Sequence, residues 1–250
     1  MSAQTDLSKL SVGQFAEQFR GEMIPLSNTF SYFCASVPLT EEDVKEYLEE
    51  PIAALPAAIQ SRLPRISIIL VPYLERANTK AKAGDIISIE KPANGRLSWA
   101  SQIQLGAEEV LVFALKDQDV AEYHYRFYQL LASLMADRIL PEEIERYRAL
   151  IRDEIAGEVH GEVDEQSWRL KQPVVRKGFI RKESKSFADY VRQSFIDTLT
   201  LYLHGICCDI DVDTGPRQLP SRYLRKRLQL LQELFPAPEG YAVFPEDLKR

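Results

Sequence analysis

The sequence predicts an α+β protein, rich in helix, with one small antiparallel sheet of about four strands between residues 65 and 115, packed by helices. Two patterns carry that prediction. Between Arg65 and Leu115, short runs of β-branched and aromatic residues are separated by turn residues, with no helical spacing among them. From Gln118 almost to the end, apolar residues recur at i, i+3 and i+4, the spacing of a helix face. The composition, 45% hydrophobic and 27% charged, is that of a globular chain able to bury its own core. At 250 residues such a chain needs no metal or disulfide to be stable.

In order along the chain, Leu7 to Arg20 reads as a short helix with Leu10, Phe15 and Phe19 apolar. Thr40-Glu41-Glu42-Asp43 is a helix start: Thr40 can cap, Asp43 can return the bond, and acids meet the positive end of the dipole. That helix should reach Arg62 with a bend or break at Pro51 or Pro56, and Pro64 closes it. Four strand signals follow, over Arg65–Leu74, Asp85–Glu90, Arg96–Leu105 and Val110–Leu115. Asn94-Gly95 is a hairpin signal between the second and third, and Gly106 marks the next turn. Short links imply an antiparallel meander.

The remainder is helical. Val120, His124, Phe127, Leu131 and Leu134 form one stripe. Pro141-Glu142-Glu143 opens a long helix toward residue 170, with Ile144, Tyr147, Ile151, Ile155, Val159 and Val163 as its apolar row. A basic loop spans Lys171 to Lys185, a helix runs from Phe187 to about Ile206, and the last helix from Ser221 to Phe235. The reading is a single domain, residues 1–250, with a possible subdivision into a helix–sheet part (1–117) and a mostly helical part (118–250).

No apolar run approaches the roughly 20 residues that span a bilayer, so no membrane association is expected. The N-terminal MSAQTDLSKL has no apolar core of a signal peptide. Cys34, Cys207 and Cys208 make an odd set with an adjacent pair, which is no disulfide framework; a reducing cytoplasm is the expected compartment. Charge is uneven. Residues 169–250 hold 15 Lys/Arg against 10 Asp/Glu, and the rest holds 16 against 27, so a net −6 conceals a basic C-terminal third.

Candidate sites fall in four places. YLHGICCDIDVD (Tyr202–Asp213) gathers a histidine, two cysteines and three aspartates. As a strand, Asp209, Asp211 and Asp213 share one face, and Asp197 and His204 share a face of the preceding helix. A calcium loop would need glycine where Thr214 stands and glutamate where Pro220 stands, so the simpler reading is a helix end and a solvated strand. The second place is His160 with Asp164, spaced i, i+4 on the helix expected over 142–170, where the pair could chelate a metal; Glu154, Glu158 and Glu162 form an acidic row that is more simply solvated. His124 lies in an apolar stripe and reads as a core histidine. The last place is basic: Arg176, Lys177, Arg181 and Lys182 beside Trp168 and Phe179, and Arg222 and Arg225 at a helix start. Those could hold an anion or single-stranded nucleic acid, or pair with acids of the same chain.

The run Ala54 to Val71, a helix leading into a strand, resembles the start of small zincin-type metallopeptidases. Their HExxH helix carries two zinc-binding histidines and a glutamate base. Here Thr200-Leu201-Tyr202-Leu203-His204 keeps only the second histidine, so the resemblance implies a zincin-like fold without its zinc. There is no Walker loop, GxGxxG or GxSxG, and no cofactor is expected. The functional expectation is a soluble cytoplasmic protein that acts by binding, first another protein, in an interaction or regulatory role. The alternatives are a metal-assisted hydrolase of degenerate zincin-like type, and nucleic-acid binding through residues 169–185.

Overall fold

The fold is that of a computed structural model, which describes residues 10–77, 85–93, 95–177, 184–208, 217–244 and 246, Lys177 by its backbone alone. It is α+β. In chain order the elements are α1 (Val12–Phe19), β1 (Ile24–Pro25), β2 (Phe30–Cys34), α2 (Glu41–Val44), α3 (Glu50–Ala53), α4 (Ala57–Gln60), β3 (Arg65–Val71), β4 (Tyr73–Glu75), β5 (Ile86–Ser88), β6 (Leu97–Ser98), β7 (Ala100–Leu105), β8 (Glu108–Ala114), α5 (Val120–Ala136), α6 (Pro141–Ala156), α7 (Glu165–Lys177), α8 (Lys185–Cys207) and α9 (Ser221–Leu234). The chain divides into two compact units. Unit 1 is Met1–Pro51 with Leu63–Arg126, and unit 2 is Ile52–Arg62 with Phe127–Arg250.

Unit 1 holds two sheets where the sequence suggested one. Five strands lie in the order β1-β2-β3-β8-β7 and three in the order β5-β4-β6. The central pairings β2–β3 and β3–β8 are parallel, against the expected antiparallel meander; only β1–β2 and β7–β8 are antiparallel in that sheet. The physical cause is at Pro72, which cannot donate to a ladder and separates β3 from β4. The chain then builds the small sheet before β8 returns beside β3, and the excursion supplies the crossover that parallel strands need. The strands β5 and β6 both pair with β4, so the Asn94-Gly95 signal does not join them as a hairpin; Asn94 itself lies outside the described residues. Gly106, at φ +67°, does turn β7 into β8.

The runs RISIILV and VLVFA are buried on both faces, as central parallel strands must be. One face receives α1, whose Phe15 and Ala16 pack with Ile69, Val71, Val110 and Val112. The start at Thr40 is as expected: Asp43 N donates to Thr40 Oγ1 at 3.1 Å and Thr40 N to Asp43 Oδ2 at 2.8 Å. A π-helical turn, Lys45–Glu49, precedes Pro51, which stays inside α3, and the break comes at Pro56. Proline has no N–H for the i−4 carbonyl, so the turn before it is free to widen.

Unit 2 is built on α8, most of whose length is buried. Its Thr198 and Thr200 hydroxyls donate to the carbonyls of Ser194 and Ile196 at 2.7 and 2.8 Å, so these polar groups can be buried without an orphan donor. The long helix expected from 142 to 170 is two helices. At the end of α6, Gly157 caps, Glu158 takes φ +53°, and Val159 N and Glu158 N donate back to Glu154 O and Ile155 O at 2.9 and 3.0 Å. That is a Schellman closure with a glutamate where glycine is usual. Gly161 follows at φ +83°; a Cβ there would lie 2.1 Å from the Gln218 carbonyl oxygen, so only glycine admits the approach. The segments are locked by Glu162 N to Arg217 O at 2.9 Å and Leu219 N to Glu162 O at 3.0 Å.

Candidate functional site: a cationic, aromatic face of unit 2

Three layers of unit 2 define the site: a buried charge network, a pocket beside it and an arginine-rich surface outside.

The network was not legible as a site in the sequence. Arg227, fully buried on α9, binds the Glu154 carboxylate through Nε (3.1 Å) and Nη2 (2.6 Å). It also holds Glu162 through Nη1 (2.8 Å) and Nη2 (2.9 Å), and Nη1 donates to Ser194 Oγ at 2.8 Å. Lys171 donates to the Gly161 carbonyl at 2.8 Å and to Glu162 Oε1 at 3.2 Å, and the Tyr190 hydroxyl donates to the same carboxylate. Two acids face two bases, so the buried charge is balanced. Burial alone would raise the Glu162 carboxyl, but Arg227, with Lys171 and Tyr190, outweighs it and holds the group down at about 2. Burial lowers the Lys171 ammonium, with Glu162 opposing.

These residues correct two expectations. Glu154 and Glu162 are buried rather than a solvated acidic row; only Glu158 of the three is exposed. Lys171 is helical and 2% exposed rather than part of an open basic loop. The signal was present: Leu224, Arg227, Leu228 and Leu231 keep i, i+3, i+4, i+7 spacing, which puts Arg227 in an apolar stripe.

Beside the network lies a pocket of about 580 Å³. One face of α7 lines it through Trp168, Lys171, Gln172 and Val175, and the α6–α7 connection adds Val159 and His160. Arg217, 62% exposed by side chain, lies 4.5 Å from the centre of the Trp168 ring and 3.6 Å from Glu165. The i, i+4 metal pair His160/Asp164 is not formed on a helix, because α6 has ended. His160 is an exposed residue of the connection, and Asp164 caps α7 by accepting from Gln166 N at 2.9 Å.

The outer layer continues along α9. Arg222 lies 4.6 Å from the centre of the Tyr223 ring and Lys226 5.7 Å from it, while Arg225 lies 4.3 Å from that of Phe244 and pairs with Glu246. Arg222 thus lies by a half-buried tyrosine and Arg225 covers a buried phenylalanine. Arg176 is exposed near the end of α7. Arg181, Lys182 and Phe179 lie outside the described residues, as does the Lys177 side chain.

Asp197 and His204 are both buried on α8, 3% and 8% exposed; Asp209, Asp211 and Asp213 lie outside the described residues. Seven residues of helix separate Asp197 from His204 by a rise of about 10.5 Å. Asp197 Oδ1 accepts from Gln193 Nε2 at 2.8 Å. Burial pushes its pKa to about 6, with Asp164 and Glu162 adding to the rise against Ser167 and Gln193. The His204 ring lies 6.1 Å from that of Tyr128. In unit 1, His124 is buried as expected, with Nε2 2.8 Å from the Glu46 carbonyl oxygen; burial lowers its pKa, and the neutral ring donates. Cys207 and Cys208 form no disulfide, and are half-buried where the sequence suggested burial. Among the described residues no helix is long and apolar enough to cross a membrane.

No family model, curated protein or solved structure matches this chain.

Proposed function

We propose that this protein acts by binding, in a reducing cytoplasmic compartment, and that its partner is an acidic segment of another protein received on the arginine-rich face of unit 2. The observation that carries this reading is the set of surface stacks: Arg217 on Trp168, Arg222 on Tyr223 and Arg225 on Phe244. Arginine and aromatic side chains dominate the energetics of protein interfaces, because each buries a large, stiff surface with a polar end. Stacking holds the guanidinium in place, so less entropy is lost when a carboxylate docks on it. The exposed Arg217, Arg222, Arg225 and Lys226 give that surface a field that attracts acids.

The nucleic-acid reading draws on the same groups, since Trp168 and its neighbouring cations also suit a stacked base. Fluorescence anisotropy separates the two. A labelled peptide alternating Glu with Leu and Phe should bind with micromolar affinity at about 50 mM salt, its Lys-substituted counterpart should not, and a mixed single-stranded oligonucleotide should bind at least tenfold more weakly. Tighter binding of the oligonucleotide, with an affinity that collapses as salt rises, would replace the protein partner with nucleic acid. Stoichiometric zinc, iron or manganese in protein purified without a His tag would instead favour the metal-assisted hydrolase.

A further inference from the structure

We infer that the pocket between α7 and the α6–α7 connection is a binding site for a small amphipathic monoanion, an apolar body carrying a single carboxylate. The inference does not depend on the macromolecular partner, and it accounts for features of the pocket that surface binding leaves unused. The volume of about 580 Å³ is that of a cleft for a small organic ligand. Its walls combine apolar side chains with polar groups of Glu158, His160, Lys171, Gln172 and Arg217. Ile155 comes from the end of α6 and Val159 from the α6–α7 connection, and Trp168 and Val175 lie seven residues apart on one face of α7. Val175 is 50% exposed, a hydrophobic surface that an apolar ligand would cover.

The polar groups define the head. Lys171 Nζ uses its bonds to Gly161 O and Glu162 Oε1, and an ammonium carries three donors, so one remains. Arg217 lies on the Trp168 ring, and its acid, Glu165, stands 3.6 Å away, a contact too long and exposed to saturate the guanidinium. The Arg217 segment is fixed against the connection by the two backbone bonds at Glu162, so the charge is held over the pocket. Glu158 also lines the pocket and is exposed. Its carboxylate opposes a second negative charge, which selects a carboxylate over a phosphate dianion. A neutral ligand would gain nothing from the Arg217 charge, and a cation would be repelled by it.

Trp168 supplies the readout, since the chain has two tryptophans and Trp99→Phe leaves only the one in the pocket. Titration of that protein with octanoate, octanol and octylammonium tests the inference directly. Octanoate should change Trp168 emission saturably and bind at least tenfold more tightly than either analogue. Arg217→Gln should remove that preference while leaving octanol unchanged, and Val175→Asp, at a half-exposed position, should weaken octanoate at least tenfold with the circular dichroism spectrum intact. Equal binding of octanol and octanoate, indifference to Arg217→Gln, or no saturable change would each overturn it. Binding of the acidic peptide without binding of octanoate would remove this inference and leave the proposed function standing.

Discussion

Arg227 shows how much one residue can organise. Its guanidinium satisfies two carboxylates and a serine inside unit 2, and the network closes only because every member has a partner. Arg227→Met should therefore cost about 3–5 kcal/mol, since it leaves Glu154 and Glu162 buried together without their cation. The triple change Arg227→Met, Glu154→Leu, Glu162→Leu should recover part of that loss, as denaturant midpoints would show. Asp197 behaves in the opposite sense. Its folded pKa of about 6 stands above the ordinary 3.8, so the stability gained by protonation is complete below about pH 4 and lost as pH rises through 6. Asp197→Asn should stabilise the protein at pH 7 by about 2–3 kcal/mol and flatten its stability between pH 4 and 6. Glu162 is depressed, from 4.5 to about 2, so its contribution is complete above 4.5 and lost as pH falls toward 2. A melting-temperature profile from pH 3 to 8 should thus peak at about pH 4–5 for these two groups, and a monotonic rise to pH 8 would contradict that assignment.

At the scale of elements, local rules were legible wherever one residue decides the outcome. Thr40 and Asp43 cap as their types require, Pro56 breaks a helix, and Gly106 turns a hairpin. Pairing was not legible, because one neighbour of β3 is β8, 37 residues beyond its end, and periodicity carries no information about partners at that distance. The strand β2 was missed although Phe30 and Tyr32 alternate with Thr29 and Ser31, since a strand of five residues stands between turn-like segments. The end of α6 was missed because Val159 and Val163 extend the apolar row, while Gly157, Glu158 and Gly161 together stop the helix. Glu158 pays for a left-handed conformation that glycine would accept freely. Glu158→Gly should stabilise the protein by about 1 kcal/mol, read as a rise in melting temperature.

At the scale of the molecule, the uneven charge of the sequence found its physical form in unit 2. There the acids Glu154 and Glu162 turn inward onto Arg227 and Lys171, and arginines face solvent on aromatic rings. The basic residues were visible in the sequence, but their division into buried and exposed sets was not, since Lys171 and Arg176 look alike without α7 and differ completely on it. The most direct test is a charge reversal that spares the interior. Arg217→Glu, Arg222→Glu and Arg225→Glu combined alter only exposed pairs, which contribute little to stability. Peptide anisotropy and melting temperature should be measured together on this variant. The account predicts loss of acidic-peptide binding by at least tenfold with a melting temperature within about 3 °C of the parent. Unchanged peptide affinity in a folded variant would contradict it.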